Sequence, residues 1–463
     1  MNLRISAPVW ASVWNIVQRS FTLPGAPEWG LIGLVGVNAH PARPSLLVAD
    51  LLLPGPDDFG RQSRYALTFH RSYLRRAMLQ ARTANVQGLV TFHSHPDSLD
   101  QTDFSPFDES EDPLLMANLH ELMPNSLHAS VVVGRQSLKG RAWLPDGTRV
   151  PLEELVIVGD HLVSKPLSGE AAPPPPRSSA VFDRALVVTG TGALAQLARM
   201  RIAVVGASGT GSLMAELLVR AGAGHITLID PDTVRLENLN RILHATAEDA
   251  RQGRLKVAVL KRALDALGLP TDVVAWPKDI VKTSIARELA GFDLLVGCVD
   301  RHWPRLVLNQ VAYHYLLPLI DVGTEIGVGP GGVEACTART SYVSSHRPCL
   351  VCGGVVDLNA LGVESLGEAE QARIAALGYG AGLSQPAVME LNTRAASYGA
   401  IVLRHLLQPM LREPLPIHIL ESLLTFGINP DRGRKRDPHC LVCGTGTLSG
   451  LGDAGLLSTR PPI

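Results

Sequence analysis

Two histidines spaced as His93-Ser-His95 could bind a single metal ion. Alternate residues of an extended backbone point to the same side, so both imidazoles can reach one ion. Asp108, in the segment Ser105-Pro-Phe-Asp108, offers a carboxylate as a third ligand and leaves a fourth position for water. Peptide hydrolysis at such a site also requires a general base and a donor to the oxyanion, for which Glu28 and Ser105 are suitable. These residues predict a hydrolytic zinc site.

Four of the six cysteines lie in two nearly identical turns, Cys349-Leu-Val-Cys352-Gly and Cys440-Leu-Val-Cys443-Gly. Two residues between the thiols let both face one ion, and the glycine permits the tight turn. The alternative, a thioredoxin-like redox pair, requires one such turn at the start of a helix rather than two matched copies. The pattern predicts a closed structural zinc site with four thiolate ligands.

A glycine-rich turn marks a nucleotide site further along the chain. The apolar run Arg201–Val205 leads into Gly206-Ala-Ser-Gly209-Thr-Gly211, followed by a helix over Leu213–Ala221. Such glycines let backbone N–H groups and the helix N-terminus approach a phosphate. Asp230, 24 residues after Gly206, could accept hydrogen bonds from ribose hydroxyls. To this point NAD and ATP fit equally well.

The polar residues that follow favour ATP. Asn238, Arg241 and Lys256 come after Asp230, and Asp300 ends a later strand. Hydride transfer does not need this set. Attack of a carboxylate on the α-phosphate of ATP does, because cations and Mg²⁺ must stabilise the charge on the phosphoryl oxygens and on departing pyrophosphate. The residues therefore predict an adenylating site.

Two domains must position these residues. Before the proline-rich segment 166–179, short β-type runs surround two helical stretches, one at Ser72–Ala84 and one after Pro113, which predicts an α+β domain over residues 1–165. After it, short apolar runs alternate with helix-length segments, which predicts a doubly wound, Rossmann-like α/β domain over 180–463. The runs in the second domain are Arg201–Val205, Ile226–Asp230, Asp272–Trp276, Leu294–Cys298 and Leu317–Asp321.

Composition excludes several classes of protein. The 463 residues carry a formal charge of −1, so there is no global basic field for nucleic acid or an anionic membrane. No apolar run approaches the length of about 18 residues that spans a bilayer. Ile5–Val17 resembles a signal peptide only loosely, and its apolar residues at four-residue steps predict a packed amphipathic helix. We expect a cytoplasmic protein.

The second domain resembles the ThiF/MoeB/ubiquitin-activating-enzyme superfamily over most of residues 180–430. The resemblance implies that the three loop glycines line the phosphates, that Asp230 holds the ribose and that Asp300 lies near Mg²⁺. It further implies phosphate contacts from Asn238, Arg241 and Lys256, and a homodimer in which Arg184 reaches the partner subunit's site. Ser208 stands where the family usually has glycine.

Cys298 and Cys336 remain as candidate thioester nucleophiles. Superfamily members that form a thioester usually carry the cysteine in a crossover segment, whose best match here is Gly353–Gln385, and this segment contains no cysteine. Cys298 and Cys336 lie in β-type runs and are expected to be inert core thiols. The sequence thus favours adenylation without a clear thioester step on this chain.

The first domain resembles the JAMM (JAB/MPN) metallopeptidase family over roughly 23–134, on His93-Ser-His95-Pro and Ser105-x-x-Asp108. Members of that family cut peptide or isopeptide bonds after the C-terminal glycine of ubiquitin-like proteins. Nine residues, Pro96 to Phe104, separate His95 from Ser105, which is longer than the family's usual spacing. Asp103 or Asp112 could therefore replace Asp108 as a ligand, and an inactive scaffold is the other alternative.

Both resemblances imply the same partner, a ubiquitin-like protein whose C-terminal glycine one site liberates and the other adenylates. The implied cofactors are ATP, Mg²⁺ and two zinc ions, one catalytic and one structural, and the further partners are a second copy of the chain and a conjugating enzyme. One alternative is activation and trimming of a sulfur carrier in cofactor or amino-acid biosynthesis. Another is a catalytically silent module that only binds ubiquitin-like folds.

Overall fold

In a computed structural model of the protein, the described residues fall into two compact units. The first takes its members from Met1–Pro173, His314–Leu316 and Leu448–Leu456, and the second comprises the remainder. The first unit therefore includes parts of the chain that we had assigned to the second domain. The structure describes residues 1–22, 25–98, 101–167, 180–364, 366, 370, 373, 386–444 and 449–460.

The first unit is built on a mixed β-sheet. Its strands are β1 (Asn2–Ser6), β2 (Gly30–Asn38), β3 (Ser45–Leu52), β4 (Phe59–Gln62), β5 (Leu67–Phe69), β6 (Gly88–Ser94), β7 (His128–Val133), β8 (Leu138–Trp143), β9 (Arg149–Pro151), β10 (Glu154–Val158) and β11 (Leu162–Pro166). The main sheet has the order β11-β10-β1-β3-β2-β6-β7-β8-β9, and β4 and β5 pair separately.

Helices cover both faces of this sheet. They are α1 (Ala7–Val17), α2 (Arg71–Thr83) and α3 (Pro106–Leu122). Alternate residues of β2 point to opposite faces, so Leu31 packs in the core cluster that contains α1 residues and Ile32 in the cluster that contains α2 and α3 residues. The predicted α+β architecture and the predicted amphipathic first helix are present.

The second unit contains a sheet that is parallel on one side and antiparallel on the other. Its strands are β12 (Arg201–Val205), β13 (His225–Ile229), β14 (Asp272–Trp276), β15 (Leu294–Gly297), β16 (Leu319–Gly329), β17 (Gly332–Val343), β18 (His418–Ser422) and β19 (Gly427–Asp431). The order is β14-β13-β12-β15-β16-β17-β18-β19, with parallel pairing from β14 to β16.

Helical crossovers connect the parallel strands, as in a Rossmann-type fold. The helices are α4 (Asp183–Thr189), α5 (Thr191–Arg199), α6 (Gly209–Ala221), α7 (Ala247–Arg251), α8 (Lys256–Asp265), α9 (Thr283–Glu288), α10 (His302–His314), α11 (Leu358–Glu364) and α12 (Met389–Leu407). The strand order reverses between β12 and β15. In open sheets of this kind, ligands bind outside the carboxyl ends of the strands at such a switch point.

The three largest differences between the observed and the predicted elements are in α3, α6 and β16. Helix α3 begins at Pro106 and contains Pro113, because Ser105 and Asp108 form a capping box that starts it earlier. Helix α6 begins at Gly209 rather than at Leu213, and β16 continues beyond Asp321 to Gly329. No described helix combines the length and apolar character that crossing a membrane requires.

Two predicted segments lie largely outside the described residues. Of the linker 166–179, the structure describes Pro166, which ends β11, and Leu167. Of the crossover segment Gly353–Gln385, it describes the first part, through α11, and three single residues beyond it.

Candidate active sites

His93, His95 and Asp108 come together at one point of the first unit. The Nε2 atoms of the two histidines are 3.1 Å apart, and each lies 3.1 Å from one carboxylate oxygen of Asp108. Ligands of a tetrahedral zinc ion lie about 2.0–2.1 Å from the metal and therefore about 3.3 Å from one another. All three side chains are buried, and the donor set fits zinc.

Strand β6 and helix α3 place these ligands. His93 is the sixth residue of β6 and His95 follows its end, so the alternation of the extended chain turns both to the same side. Ser105 caps α3, and its Oγ and backbone N–H donate to Oδ2 of Asp108 at 2.8 and 2.7 Å. The one hydroxyl proton of Ser105, which we predicted to donate to an oxyanion, thus points to the Asp108 carboxylate and fixes its orientation.

Asp103 and Asp112 do not contact the histidine pair in the described structure. Asp103 pairs with Lys139 at 2.8 Å, and Asp112 pairs with the buried Arg141 at 2.8 Å. Of the three acids that sequence reasoning left open for the third ligand, the geometry therefore favours Asp108.

Glu28 lies beside the histidines because of the register of β2 and β6. Gly30 pairs with His93. Trp29, which stands between Glu28 and Gly30, is held by a hydrogen bond from its backbone N–H to Ser94 Oγ at 2.9 Å. Glu28 is 3% exposed, and one of its carboxylate oxygens has no hydrogen-bond partner within the described structure. The sequence analysis did not single out Ser94. The signal that could have found it is its position between the two histidines, which places its side chain on the opposite face of the strand.

Burial dominates the electrostatics of this first site. It raises the pKa of Glu28 to about 8, against the opposing effect of His93. Burial alone would raise the pKa of Asp108 as well, but hydrogen bonds from His93 and His95 hold it well below its usual range. The arrangement combines one carboxylate that stays ionised, that of Asp108, with a second carboxyl group that can hold a proton, that of Glu28.

The glycine loop lies at the switch point of the second unit. Gly206, with φ of +97°, makes the turn after β12, and a Cβ there would overlap the carbonyl of Cys298. A Cβ on Gly211 would overlap the carbonyl of Gly206, so this glycine lets α6 approach β12 closely. The loop leads directly into the N-terminus of the 13-residue helix α6, which is suited to bind an anion.

Asp230 follows β13 and supports this loop. Its two carboxylate oxygens accept from the N–H groups of Ala207 and Asp232, each at 2.8 Å. Burial raises the pKa of Asp230. Lys256 Nζ lies 2.8 Å from Asp232 and 3.9 Å from Asp230, so it pairs with these acids. Asp232 was not among the predicted site residues, although it stands two positions after Asp230.

Arg241 and Asn238 occupy the turn between β13 and α7. Arg241 lies beside Gly209, because a Cβ built on Gly209 would be 3.5 Å from the Arg241 Cβ. Its guanidinium donates to the carbonyl of Glu237 at 2.8 Å. Asn238 is buried, and its Oδ1 accepts from Arg235 N–H at 3.1 Å, so its side chain stabilises the turn.

Asp300, Arg184 and Ser208 are half-buried or exposed. Asp300 is exposed and stands two residues beyond Cys298, whose carbonyl faces Gly206. Arg184 is exposed on α4. Ser208 is half-buried at the N-cap of α6, and its side chain makes no capping hydrogen bond.

The four paired cysteines form one cluster in the second unit. The Sγ atoms of Cys349 and Cys440 are 3.5 Å apart and those of Cys352 and Cys443 are 3.3 Å apart, and all four lie within 4.8 Å of one another. These distances exceed the disulfide bond length of about 2.05 Å and approach the separation of about 3.8 Å expected around a tetrahedral zinc ion. The cluster fits the predicted ion.

Cys298 and Cys336 lie outside this cluster. Cys298 is 7% exposed directly after β15, and burial raises the pKa of its thiol to about 12. Cys336 lies within β17 and is half-buried. A thiol with so high a pKa is a poor nucleophile near neutral pH, which agrees with the expectation of an inert core thiol at Cys298.

Residues 182–382 match the model of the ThiF family. "Adenylyltransferase and sulfurtransferase UBA4" of Meyerozyma guilliermondii is 32% identical over 144 residues, which are 30% of this chain and 33% of that protein. "Sulfur carrier protein ThiS adenylyltransferase" of Bacillus subtilis is 28% identical over 157 residues, 34% of this chain and 44% of that protein.

"Ubiquitin-like modifier-activating enzyme 5" of Oryza sativa subsp. japonica is 28% identical over 188 residues, 38% of this chain and 45% of that protein. The chain thus spans a third to under half of the length of these relatives. Among solved structures, that of E. coli MccB with ATP is 19% identical, with a TM-score of 0.45, and the match covers 58% of this chain and 76% of that one.

Proposed function

We propose that the second unit adenylates the C-terminal glycine of a ubiquitin-like protein with ATP and Mg²⁺. The observation that carries this proposal is the glycine loop at the switch point, with Asp230 buried beside it and Arg241 next to Gly209. Among the relatives, one is named as an adenylyltransferase of a sulfur carrier protein and one as an activating enzyme of a ubiquitin-like modifier, and these names support the proposal.

In this reaction a glycine carboxylate oxygen attacks the α-phosphorus, and the bond to the leaving pyrophosphate breaks. Asp230 binds the ribose, and the loop N–H groups of Gly206 to Gly211 face the phosphates. Arg241 and Lys256 stabilise the negative charge, and Asp300 helps to hold Mg²⁺. Lys256 can exchange Asp232 for a phosphate at small cost, because the Asp232 side chain is 66% exposed and ion pairs that reach solvent contribute little.

Pyrophosphate exchange into ATP tests this function. The assay uses the full chain and a glycine-ending ubiquitin-like protein encoded by a neighbouring gene. We expect exchange that depends on that protein, a strong loss in Lys256→Ala, and no change in Lys261→Ala, which removes a lysine of the same helix that pairs with Asp265. Binding of the partner without any exchange would support the silent binding module instead.

We further propose that the first unit is a zinc peptidase that cleaves after the same glycine. A zinc ion held by His93, His95 and Asp108 would supply Lewis-acid activation of water. In its ionised form Glu28 accepts the proton of that water and passes it to the leaving amine, and the Ser105 hydroxyl turns from Asp108 to donate to the oxyanion. The buried, unpartnered oxygen of Glu28 beside the histidines supports this role.

Cleavage of a C-terminally extended ubiquitin-like protein tests the peptidase. We expect Glu28→Gln to abolish cleavage while the zinc content stays unchanged, because Glu28 is proposed as base and not as ligand. Glu121→Gln, on the exposed face of α3, serves as the matched control and should cleave normally. Full cleavage by Glu28→Gln would refute the assignment of the base.

The fate of the adenylate divides two candidate pathways. Transfer to a conjugating enzyme would lead to protein modification, and transfer of sulfur would lead to cofactor or amino-acid biosynthesis. The buried, high-pKa thiol of Cys298 favours a product that leaves without a thioester on this residue. We also propose a homodimer in which Arg184 acts in trans, and a reducing, cytoplasmic setting that suits the four clustered thiols.

A further inference from the structure

Asn392 is a buried amide that faces the start of helix α6. It is the fourth residue of α12 and is 3% exposed. Its Nδ2 has no hydrogen-bond partner among the described residues. A Cβ on Gly209, the first residue of α6, would overlap this nitrogen. The amide nitrogen therefore lies directly against the glycine loop.

The other end of the amide is held by strand β16. Thr324 Oγ1 donates to Asn392 Oδ1 at 3.4 Å, which leaves Nδ2 turned toward Gly209. A buried N–H group without an acceptor is costly, and nearly all such groups in folded proteins are paired. An acceptor that arrives with a ligand would explain the position of this nitrogen.

The surroundings indicate an anionic acceptor. The first N–H groups of α6 point out of the helix N-terminus, which carries a partial positive charge. Arg241 lies on the same side of Gly209, with its Cβ 3.5 Å from the site of a Cβ on that glycine. A phosphoryl oxygen at this place would accept from the helix, and it would also satisfy Asn392.

We propose that Asn392 Nδ2 donates a hydrogen bond to a phosphoryl oxygen of the bound nucleotide. This inference rests on the proposed adenylation and adds to it a binding residue more than 150 positions beyond the glycine loop in sequence. Because the contact is to phosphate, it contributes to binding of ATP and not to binding of adenosine.

Calorimetric titration of the full chain with Mg·ATP and, separately, with adenosine tests the proposal. We expect Asn392→Ala to raise the Kd for Mg·ATP about 10-fold or more, the effect of losing a hydrogen bond to a charged group. Asn392→Asp has nearly the same shape but puts a negative charge toward the phosphate, and it should weaken ATP further. Both variants should bind adenosine as the wild type does.

Thr393→Ala is the matched control, since Thr393 is the next residue of α12 and is exposed. It should bind both ligands normally. Equal losses of ATP and adenosine affinity in the Asn392 variants would mean a merely structural role, and unchanged ATP affinity would mean no phosphate contact. Either result overturns the inference while the wild type still binds ATP. A wild type that does not bind Mg·ATP would instead refute the adenylation on which the inference rests.

Discussion

The two groups of candidate ligands predict two zinc ions per chain, and substitution of one ligand should remove one whole ion. One group consists of Cys349, Cys352, Cys440 and Cys443, and the other of Glu28, His93 and His95, with Asp108 3.1 Å from each histidine. We expect the purified chain to hold one ion in each. Because every thiol of the first group lies within 4.8 Å of the other three, removing one leaves an incomplete set.

The perturbation is Cys440→Ser, measured by metal analysis and by urea unfolding. We expect one zinc ion instead of two and a lower free energy of unfolding. With free zinc at 100 times its dissociation constant, an ion bound only to the folded state stabilises it by about 2.7 kcal/mol, so the variant should lose about this amount. Cys336→Ser, which removes a half-buried cysteine outside the cluster, should retain both ions and its stability.

The matching perturbation in the first unit is His93→Ala, which should also leave one ion. The double variant His93→Ala/Cys440→Ser should hold none. Two ions retained in either single variant, or zinc lost equally from Cys336→Ser, would refute the assignment of the ligands. A chain in which both single substitutions remove the same ion would refute the existence of two independent sites.

Three further outcomes follow from individual contacts. Gly211→Ala should abolish ATP binding in equilibrium dialysis, because its Cβ would overlap the Gly206 carbonyl, whereas Gly192→Ala has open space around the new Cβ and should bind normally. Burial lowers the pKa of His128 to about 3. The neutral, buried His128 therefore contributes its whole share of the folding stability above pH 6.5, and this share is lost progressively as the pH falls toward 3. In urea titrations His128→Asn should therefore lose less stability between pH 7 and pH 5 than the wild type; an equal loss would contradict this pKa. Ser94→Ala removes the side chain that holds Trp29 and should lower kcat for peptide cleavage at unchanged zinc content; an unchanged kcat would show that Ser94 does not position Glu28.

The inner parallel strands of the second unit were predictable because nearly all of their residues are buried, so that a run such as Arg201–Val205 contains few polar residues. The observed bounds of this strand equal the predicted ones, and so do those of Asp272–Trp276, an edge strand that is partly exposed. The extension of β16 from Asp321 to Gly329 was not predictable in this way. Its outer half is partly exposed and mixes polar with apolar residues, and it is held by pairing with β17 rather than by an apolar run.

In the candidate sites, residues close together in sequence could be predicted as a group, whereas a contact between distant segments could not. The spacing of His93 and His95 and the box formed by Ser105 and Asp108 are local, and the structure brings these residues together as expected. The approach of Asn392 to the glycine loop depends on the packing of α12 against α6, and no pattern in the adjacent sequence indicates it. Ser94 and Asp232 were also missed, although each stands within two positions of a predicted residue, because spacing does not indicate the hydrogen bond of the one or the ion pair of the other.

Adenylation of the glycine is tested most directly by measuring whether an oxygen atom of the glycine carboxylate is transferred to AMP. The ubiquitin-like protein is labelled with oxygen-18 at its C-terminal glycine carboxylate and incubated with the enzyme, Mg·ATP and hydroxylamine, which releases AMP by attack on the carbonyl carbon. If the carboxylate displaces pyrophosphate, mass spectrometry will find AMP that carries one labelled oxygen, together with the hydroxamate. Unlabelled AMP, or nucleotide that is not consumed, would contradict the claim that this site adenylates a glycine.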